Sequence, residues 1–279
     1  MKTADSTIEQ DINKKFDRLQ ALLREMGSIA IAFSGGVDST FLVAVAKDTA
    51  EEVVALTMKR PYFAKWELDE ALDIIHRLGV RHKVIELPVD EEVRNNLPNR
   101  CYFCKSSTFG RFREEVVEMG FDTLIDGTNA DDTGEYRPGL QAIKEQNVRS
   151  PLQESGLTKD EIRLLSRNMG LPDWDKPANT CLVTRIPYHT HVRDEDLRMI
   201  EKAERYLIDN GFRKVRVRKH GDLARIEVNQ NMIRDLLKPE LADGIATYLK
   251  SIGFNYVSVD LQGYKTGSLD QEILKNSNG

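Results

Sequence analysis

The chain has 279 residues, a length that fits two domains of ordinary size. Hydrophobic residues make up 40% and charged residues 30%, which excludes collagen-like, low-complexity and mostly disordered chains and predicts a globular protein with a buried core. Forty Lys and Arg against 45 Asp and Glu give a net charge of -5, so no global positive field exists to hold a nucleic acid.

Near the N-terminus Ile8, Ile12, Phe16, Leu19, Leu23 and Met26 recur at spacings of three and four behind Asp5, Ser6 and Thr7, the pattern of a capped amphipathic helix. The first fifteen residues carry no apolar run of signal-peptide length. No later stretch approaches the ~18 apolar residues of a membrane span, so the expectation is a cytoplasmic protein without membrane contact. An apolar run at 28–33, a glycine-containing loop and an apolar helical stretch at 40–47 read as strand, loop and helix. The run 53–58, the helical pattern Leu68, Leu72, Ile75, Leu78 and the run 84–89 continue the alternation. A helix at 106–119, a strand at 123–126 and a helix at 158–169 complete it. Such alternation predicts an α/β, Rossmann-like parallel sheet with helices on both faces.

Beyond the Pro-rich stretch 171–187 the pattern changes. A long helix (194–210) precedes two alternating strands (214–219 and 223–229) split by the turn signal His220-Gly221-Asp222. A helical segment (232–252) and a last strand (256–261) complete a smaller α+β unit. The expected domains are residues 1–185 and 186–279.

Ser34-Gly35-Gly36-Val37-Asp38-Ser39 lies directly after an apolar strand and directly before a helix. Glycines there let backbone amides approach an anion, and the helix N-terminus adds unpaired N–H donors. The loop carries neither the lysine of G-x-x-x-x-G-K-[ST] nor the G-x-G-x-x-G spacing. A plain glycine turn capped by Asp38 and Ser39 would account for the two glycines, but not for the whole six-residue string. Gly127-Thr128-Asn129-Ala130-Asp131-Asp132 follows another predicted strand, and Leu157-Thr158-Lys159 opens a helix carrying Arg163, at the strand ends where open α/β sheets bind ligands.

The chain has three cysteines, Cys101, Cys104 and Cys181, an odd number that excludes a disulfide framework. The C-x-x-C spacing of Cys101 and Cys104 brings two thiolates close enough to share a metal or cluster or to form a redox disulfide. All three are expected in loops flanked by Arg and Lys. In Lys214-Val215-Arg216-Val217-Arg218 a strand would place both arginines on one face and the valines in the core, with Arg225 and Glu227 on the partner strand and Ala224, Ile226 and Val228 inward. Paired arginines are suited to clamp a phosphate.

The string Ser34 to Ser39 resembles the pyrophosphate-binding loop of the N-type ATP pyrophosphatases, with their adenine nucleotide alpha hydrolase-like fold. That resemblance implies Mg2+-ATP held by Ser34, Gly35, Gly36, Val37, Asp38 and Ser39, with Thr128, Asp131, Lys159 and Arg163 in support. Cys101-Tyr-Phe-Cys104-Lys105 and the stretch from Lys176 to Tyr188 around Cys181 resemble one branch, the LarE-type sulfur transferases of nickel-pincer cofactor biosynthesis. This resemblance runs over nearly the whole chain.

It implies ATP-dependent adenylation of a carboxylate of pyridinium-3,5-biscarboxylic acid mononucleotide and replacement of oxygen by sulfur. Cys101, Cys104 and Cys181 would hold a [4Fe-4S] cluster fed by sulfide or another sulfur donor. Arg185, Arg216 and Arg218 would bind the substrate phosphate. Glu204, Glu227 and Asp235 would hold a divalent metal, and the protein would form a homo-oligomer. Three other readings stand beside it: a tRNA thiolase of the same superfamily, a sacrificial sulfur donor at Cys181, and a non-catalytic nucleotide sensor with structural zinc.

Overall fold

The computed structural model describes residues 2–133, 138–172, 174–177 and 180–265, so Ala178 and Asn179 of the Cys181 stretch lie outside the described residues. The chain forms two compact units. The first comprises the described residues up to 60, 67–88 and those from 101 to 177; the second comprises 61–66, 89–100 and the described residues from 180 on.

Helix α1 (Lys2–Glu25) is followed by strand β1 (Ser28–Ala32), helix α2 (Val37–Thr49), β2 (Glu52–Lys59), α3 (Lys65–Leu78) and β3 (Arg81–Glu86). A short α4 (Glu91–Arg94) belongs to the second unit. Then come α5 (Arg100–Glu118), β4 (Thr123–Ile125), α6 (Pro138–Glu145), α7 (Pro151–Glu154) and α8 (Lys159–Asn168). The first unit is built on a parallel sheet in the order β3-β2-β1-β4.

Ile29, Ala30 and Ile31 are all buried, as are Val54, Ala55 and Leu56. Successive residues point to opposite faces, so burial of each in turn means that helices cover both sides of the sheet. Leu19 and Leu23 of α1, Phe41 and Leu42 of α2, Ile74 and Ile75 of α3 and Ile162 of α8 close over it. Each such side chain contributes about 1.5–3 kcal/mol by leaving water.

The strand order decides where a ligand can enter. β1 has β2 on one side and β4 on the other, with Ala30 level with both Val54 and Leu124. The chain therefore reverses direction across the sheet between β1 and β4, which opens a crevice beyond their carboxyl ends. The loop 34–39 leaves β1 at that point, and the segment 126–132 leaves β4 there.

The second unit contains a 3-10 turn (Leu182–Arg185), helix α9 (Asp194–Asp209), strands β5 (Val215–His220) and β6 (Leu223–Val228), a short α10 (Ile233–Leu236), α11 (Pro239–Ser251) and β7 (Tyr256–Val259). β5 and β6 form an antiparallel hairpin, turned at Gly221 with φ 58°, and β7 joins β6 in parallel. Val215, Val217, Ala224, Ile226 and Val228 pack with Leu207 of α9 and Leu249 of α11 in one core.

Several expectations are corrected. Cys101 and Cys104 do not lie in a loop: α5 begins at Arg100 and carries both in its first turns. The stretch 232–252 is not one helix, because Pro239 lacks the N–H a continuing helix needs and instead opens α11. The third strand runs from Arg81 to Glu86 instead of over 84–89, and α1 already spans the residues read as its cap. Arg216 and Arg218 do not stand on an open face; both are buried.

Candidate active site

Gly35 adopts φ +69°, and a Cβ there would stand 2.5 Å from Cβ of Ala71 on α3. Only glycine fits both the left-handed backbone and the packing against α3. Gly36 then caps α2 in an extended conformation, leaving the amides of the next residues facing outward. The two serines that bracket the loop meet: Ser34 Oγ and Ser39 Oγ are 3.1 Å apart, and Ser39 Oγ also accepts from the Ser34 amide at 3.3 Å. Two hydroxyls and a helix N-terminus thus converge on one small volume, an arrangement suited to phosphate oxygens.

The segment after β4 presses onto this loop. A Cβ on Gly127 would lie 3.1 Å from the Ser39 amide nitrogen. Buried Asp126 fixes the segment by accepting from Thr128 Oγ1 and from Ser150 Oγ, each at 2.6 Å. Asp131 accepts from the Lys159 amide at 2.8 Å, tying the segment to the start of α8. That start is set by Thr158 and Glu161, which cap each other's backbone reciprocally. Lys159 Nζ reaches Asp38 Oδ2 at 2.6 Å.

Burial pushes the Asp38 carboxyl above its ordinary value, while Lys159 and Arg163 oppose the shift and Asp132 adds to it. Asp38 Oδ1 is buried with no hydrogen-bond partner, an oxygen suited to receive a cation.

Of the residues expected at the nucleotide, the structure gathers Ser34, Gly35, Gly36, Val37, Asp38, Ser39, Asp131 and Lys159 around one loop, with Thr128 anchored on Asp126 behind it. Arg163 is one step removed, with Nη2 3.4 Å from the carbonyl of Lys176. Lys176 itself was not singled out. Its Nζ donates to the Gly35 carbonyl at 3.3 Å and pairs with Glu70 at 2.8 Å. No spacing signal in its Pro-rich surroundings could have placed it there.

Cys101 and Cys104 are one helical turn apart and therefore share a face of α5. Cys101 is exposed, and Cys104 and Cys181 are half-buried. Cys181 caps the turn Leu182–Arg185, and its carbonyl accepts from Thr184 Oγ1 at 2.8 Å. Two thiolates on one face of α5 are donors of the kind that ligate an iron–sulfur cluster.

The segment that follows is strained and clasped. His189 has φ 62° and Asn96 φ 52°, and the His189 amide donates to the Asn96 carbonyl at 3.1 Å. Asn96 Nδ2 holds the carbonyls of Ile186 and Pro187, and the Arg100 guanidinium lies 4.1 Å from the centre of the Tyr188 ring.

The acidic residues expected at a metal are engaged elsewhere. Glu204 takes Arg185, and Glu227 takes Arg218 and Arg225. Asp235 pairs with Lys238. Among the described residues no group of three or more His, Cys, Asp or Glu is assembled to hold a metal ion, and no helix is long and apolar enough to cross a membrane.

The parallel sheet, its switch point and the two-serine loop define an enzyme of the ATP-using PP-loop class. Comparison with known proteins agrees: residues 28–99 match the family of the queuosine biosynthesis protein QueC. The chain is 37% identical over 270 residues to an uncharacterized protein of Synechocystis sp., covering 95% of this chain and 100% of the relative. It is 34% identical over 261 residues to the pyridinium-3,5-bisthiocarboxylic acid mononucleotide synthase of Lactiplantibacillus plantarum, covering 92% and 94% of the two chains. A tRNA-specific 2-thiouridylase MnmA of Rickettsia africae is 28% identical over 196 residues, 55% of this chain and 53% of the relative. The chain belongs to the family of the Lactiplantibacillus synthase, the LarE-type sulfur transferases.

Proposed function

We propose that this protein converts carboxylates of pyridinium-3,5-biscarboxylic acid mononucleotide into thiocarboxylates at the expense of ATP. The observation that carries this reading is the meeting of Ser34 and Ser39 over the N-terminus of α2 at the sheet's switch point, in a chain collinear with the Lactiplantibacillus synthase.

A carboxylate anion repels an incoming sulfur nucleophile and offers no usable leaving group. Attack of the carboxylate oxygen on the α-phosphorus of ATP breaks the bond to the β-phosphate and releases pyrophosphate. The acyl adenylate so formed then exchanges AMP for sulfur. The loop amides, Ser34 and Ser39 bind the departing pyrophosphate, because donors fixed in advance need no rearrangement as charge develops. Lys159 and Lys176 bring positive charge to the loop, and Asp38 holds Lys159 in place.

Mg2+ would neutralise the phosphate charge, and the unpartnered Asp38 Oδ1 suits a cation there. A [4Fe-4S] cluster on Cys101, Cys104 and Cys181 would, when bound, supply the sulfur and spare the protein's own thiols. Arg216 and Arg218 are the proposed contacts to the substrate phosphate, and Glu204, Glu227 and Asp235 the proposed carboxylates near a divalent metal. A homo-oligomer fed by an external sulfide source completes the reading.

Mass spectrometry of anaerobic reactions with ATP and this mononucleotide tests it: oxygen-for-sulfur exchange is expected, and its absence with intact ATP overturns the assignment. Iron analysis of the anaerobically purified protein and of Cys101→Ser tests the cluster. The parent is expected to retain iron and turn over repeatedly, whereas the variant loses both. The MnmA-type relative favours a second reading, tRNA thiolation, for which salt-sensitive binding of bulk tRNA is the discriminating result.

A further inference from the structure

Among the described residues Arg185 is the largest fully buried side chain, with 1% of its side chain exposed, and Glu204 beside it has 2%. Its Nε and Nη2 grip both carboxylate oxygens of Glu204 at 2.8 and 3.0 Å. Glu204 Oε1 also accepts the amide of Val217 on β5 at 2.9 Å, which pins the pair to the sheet of the second unit. The remaining nitrogen, Nη1, turns toward the cysteine. It donates to the carbonyls of Thr180 and Cys181 at 2.8 and 3.1 Å and lies 2.6 and 2.8 Å from the hydroxyls of Thr180 and Thr184. A second arginine holds the other end of the same turn: Arg218, itself forked onto Glu227, donates to the Thr184 carbonyl.

We infer that Arg185 and Glu204 are positioning residues that fix the backbone of Cys181. The fork geometry carries the argument. A guanidinium has five N–H donors in one plane, and here two face a carboxylate that cancels its charge while Nη1 faces the cysteine turn. The charge of the guanidinium is matched by a buried anion on the side away from the turn, and Glu204 spends both oxygens on hydrogen bonds. Breaking a buried pair leaves an uncompensated charge, so this grip is stiff, and stiffness is what a sulfur atom that must meet an acyl carbon requires.

The inference rests on the proposed function only in treating Cys181 as the sulfur-handling residue. Its test uses neither substrate nor cluster. In the metal-free full chain, the iodoacetamide alkylation rate of each cysteine is followed by peptide mass spectrometry in the parent, Glu204→Gln and Thr184→Val. Glu204→Gln keeps shape and removes the anion; Thr184→Val removes one partner of Nη1 together with that hydroxyl's own bond to the Cys181 carbonyl and leaves the ion pair intact.

A net hydrogen bond of 0.5–1.5 kcal/mol converts to a change in Cys181 alkylation of about two- to tenfold. The rate at Cys104 is expected to stay constant. General loosening would instead alter both cysteines together, and that result overturns the inference. So does an unchanged Cys181 rate in Glu204→Gln. Where Glu204→Gln does not fold, Glu204→Asp, which keeps the anion and shortens its reach to Arg185, takes its place.

Discussion

Asp38 and Lys159 are 121 residues apart in sequence and 2.6 Å apart in the fold. The contact joins the first turn of α2 to the first turn of α8 beside the pyrophosphate loop. It is a strained bargain for the acid, whose burial raises its pKa even with the lysine in contact.

Lys159→Met should therefore be pH-sensitive. Without its cation, Asp38 must either stay charged in a half-buried site or take a proton. At neutral pH the variant is expected to lose about 1–3 kcal/mol, the cost of stranding one partner of a buried charged hydrogen bond. A group whose folded pKa is raised favours the fold below its unfolded pKa and loses that benefit as pH rises through the folded value. The deficit should shrink on acidification, as Asp38 takes up a proton. Urea midpoints of parent and variant across the acid range measure this, and a pH-independent deficit would contradict the account. Isotope exchange between pyrophosphate and ATP should fall in parallel.

Gly35→Ala meets two obstacles, the left-handed backbone and the Ala71 methyl. The first costs about 1–2 kcal/mol and the second a clash of similar size. Adding Ala71→Gly should return only the methyl's share of the clash, because the Ala71 Cα stays 2.8 Å from the new Cβ, and leave the backbone component. Gly36→Ala, at φ -82° with Ser34 Oγ as its nearest neighbour at 3.3 Å, should fold normally. Thermal unfolding of the four proteins distinguishes the components; equal melting of Gly35→Ala and the double variant would refute the steric assignment.

His82 on β3 reaches across to β2, with Nε2 2.9 Å from Thr57 Oγ1, and burial lowers its pKa. Its neutral form is favoured in the fold, so its contribution is present above the unfolded histidine pKa and is lost as pH falls through and below it. The parent's urea midpoint should drop between about pH 7.5 and about pH 5, and His82→Gln, which can keep the bond to Thr57 without titrating, should flatten that slope. Superimposable slopes would show that other groups govern this window.

The loop 34–39, the β-α-β alternation and the inward set Ala224, Ile226 and Val228 were legible in the linear sequence, because each is written in neighbours or in a short period. Glycine spacing, strand length and two-residue alternation are local quantities. The helix that carries the C-x-x-C pair was not legible, since the weak helix formers around Cys101 gain α5 through burial of Phe109, Phe112 and Val116 farther along it.

What the residues could not state was pairing at a distance. That β4 lies beside β1, that Lys159 meets Asp38, and that Lys176 returns to Gly35 depend on which strands become neighbours. The same holds for the basic hairpin. Its alternation placed the arginines on one face and Glu227 on the partner strand, yet only the fold brought the Thr184 carbonyl to Arg218, the Tyr264 ring to Arg216 and Glu204 of α9 to Arg185, and so buried them. A charged side chain is as compatible with solvent as with a buried partner until the third dimension supplies the partner.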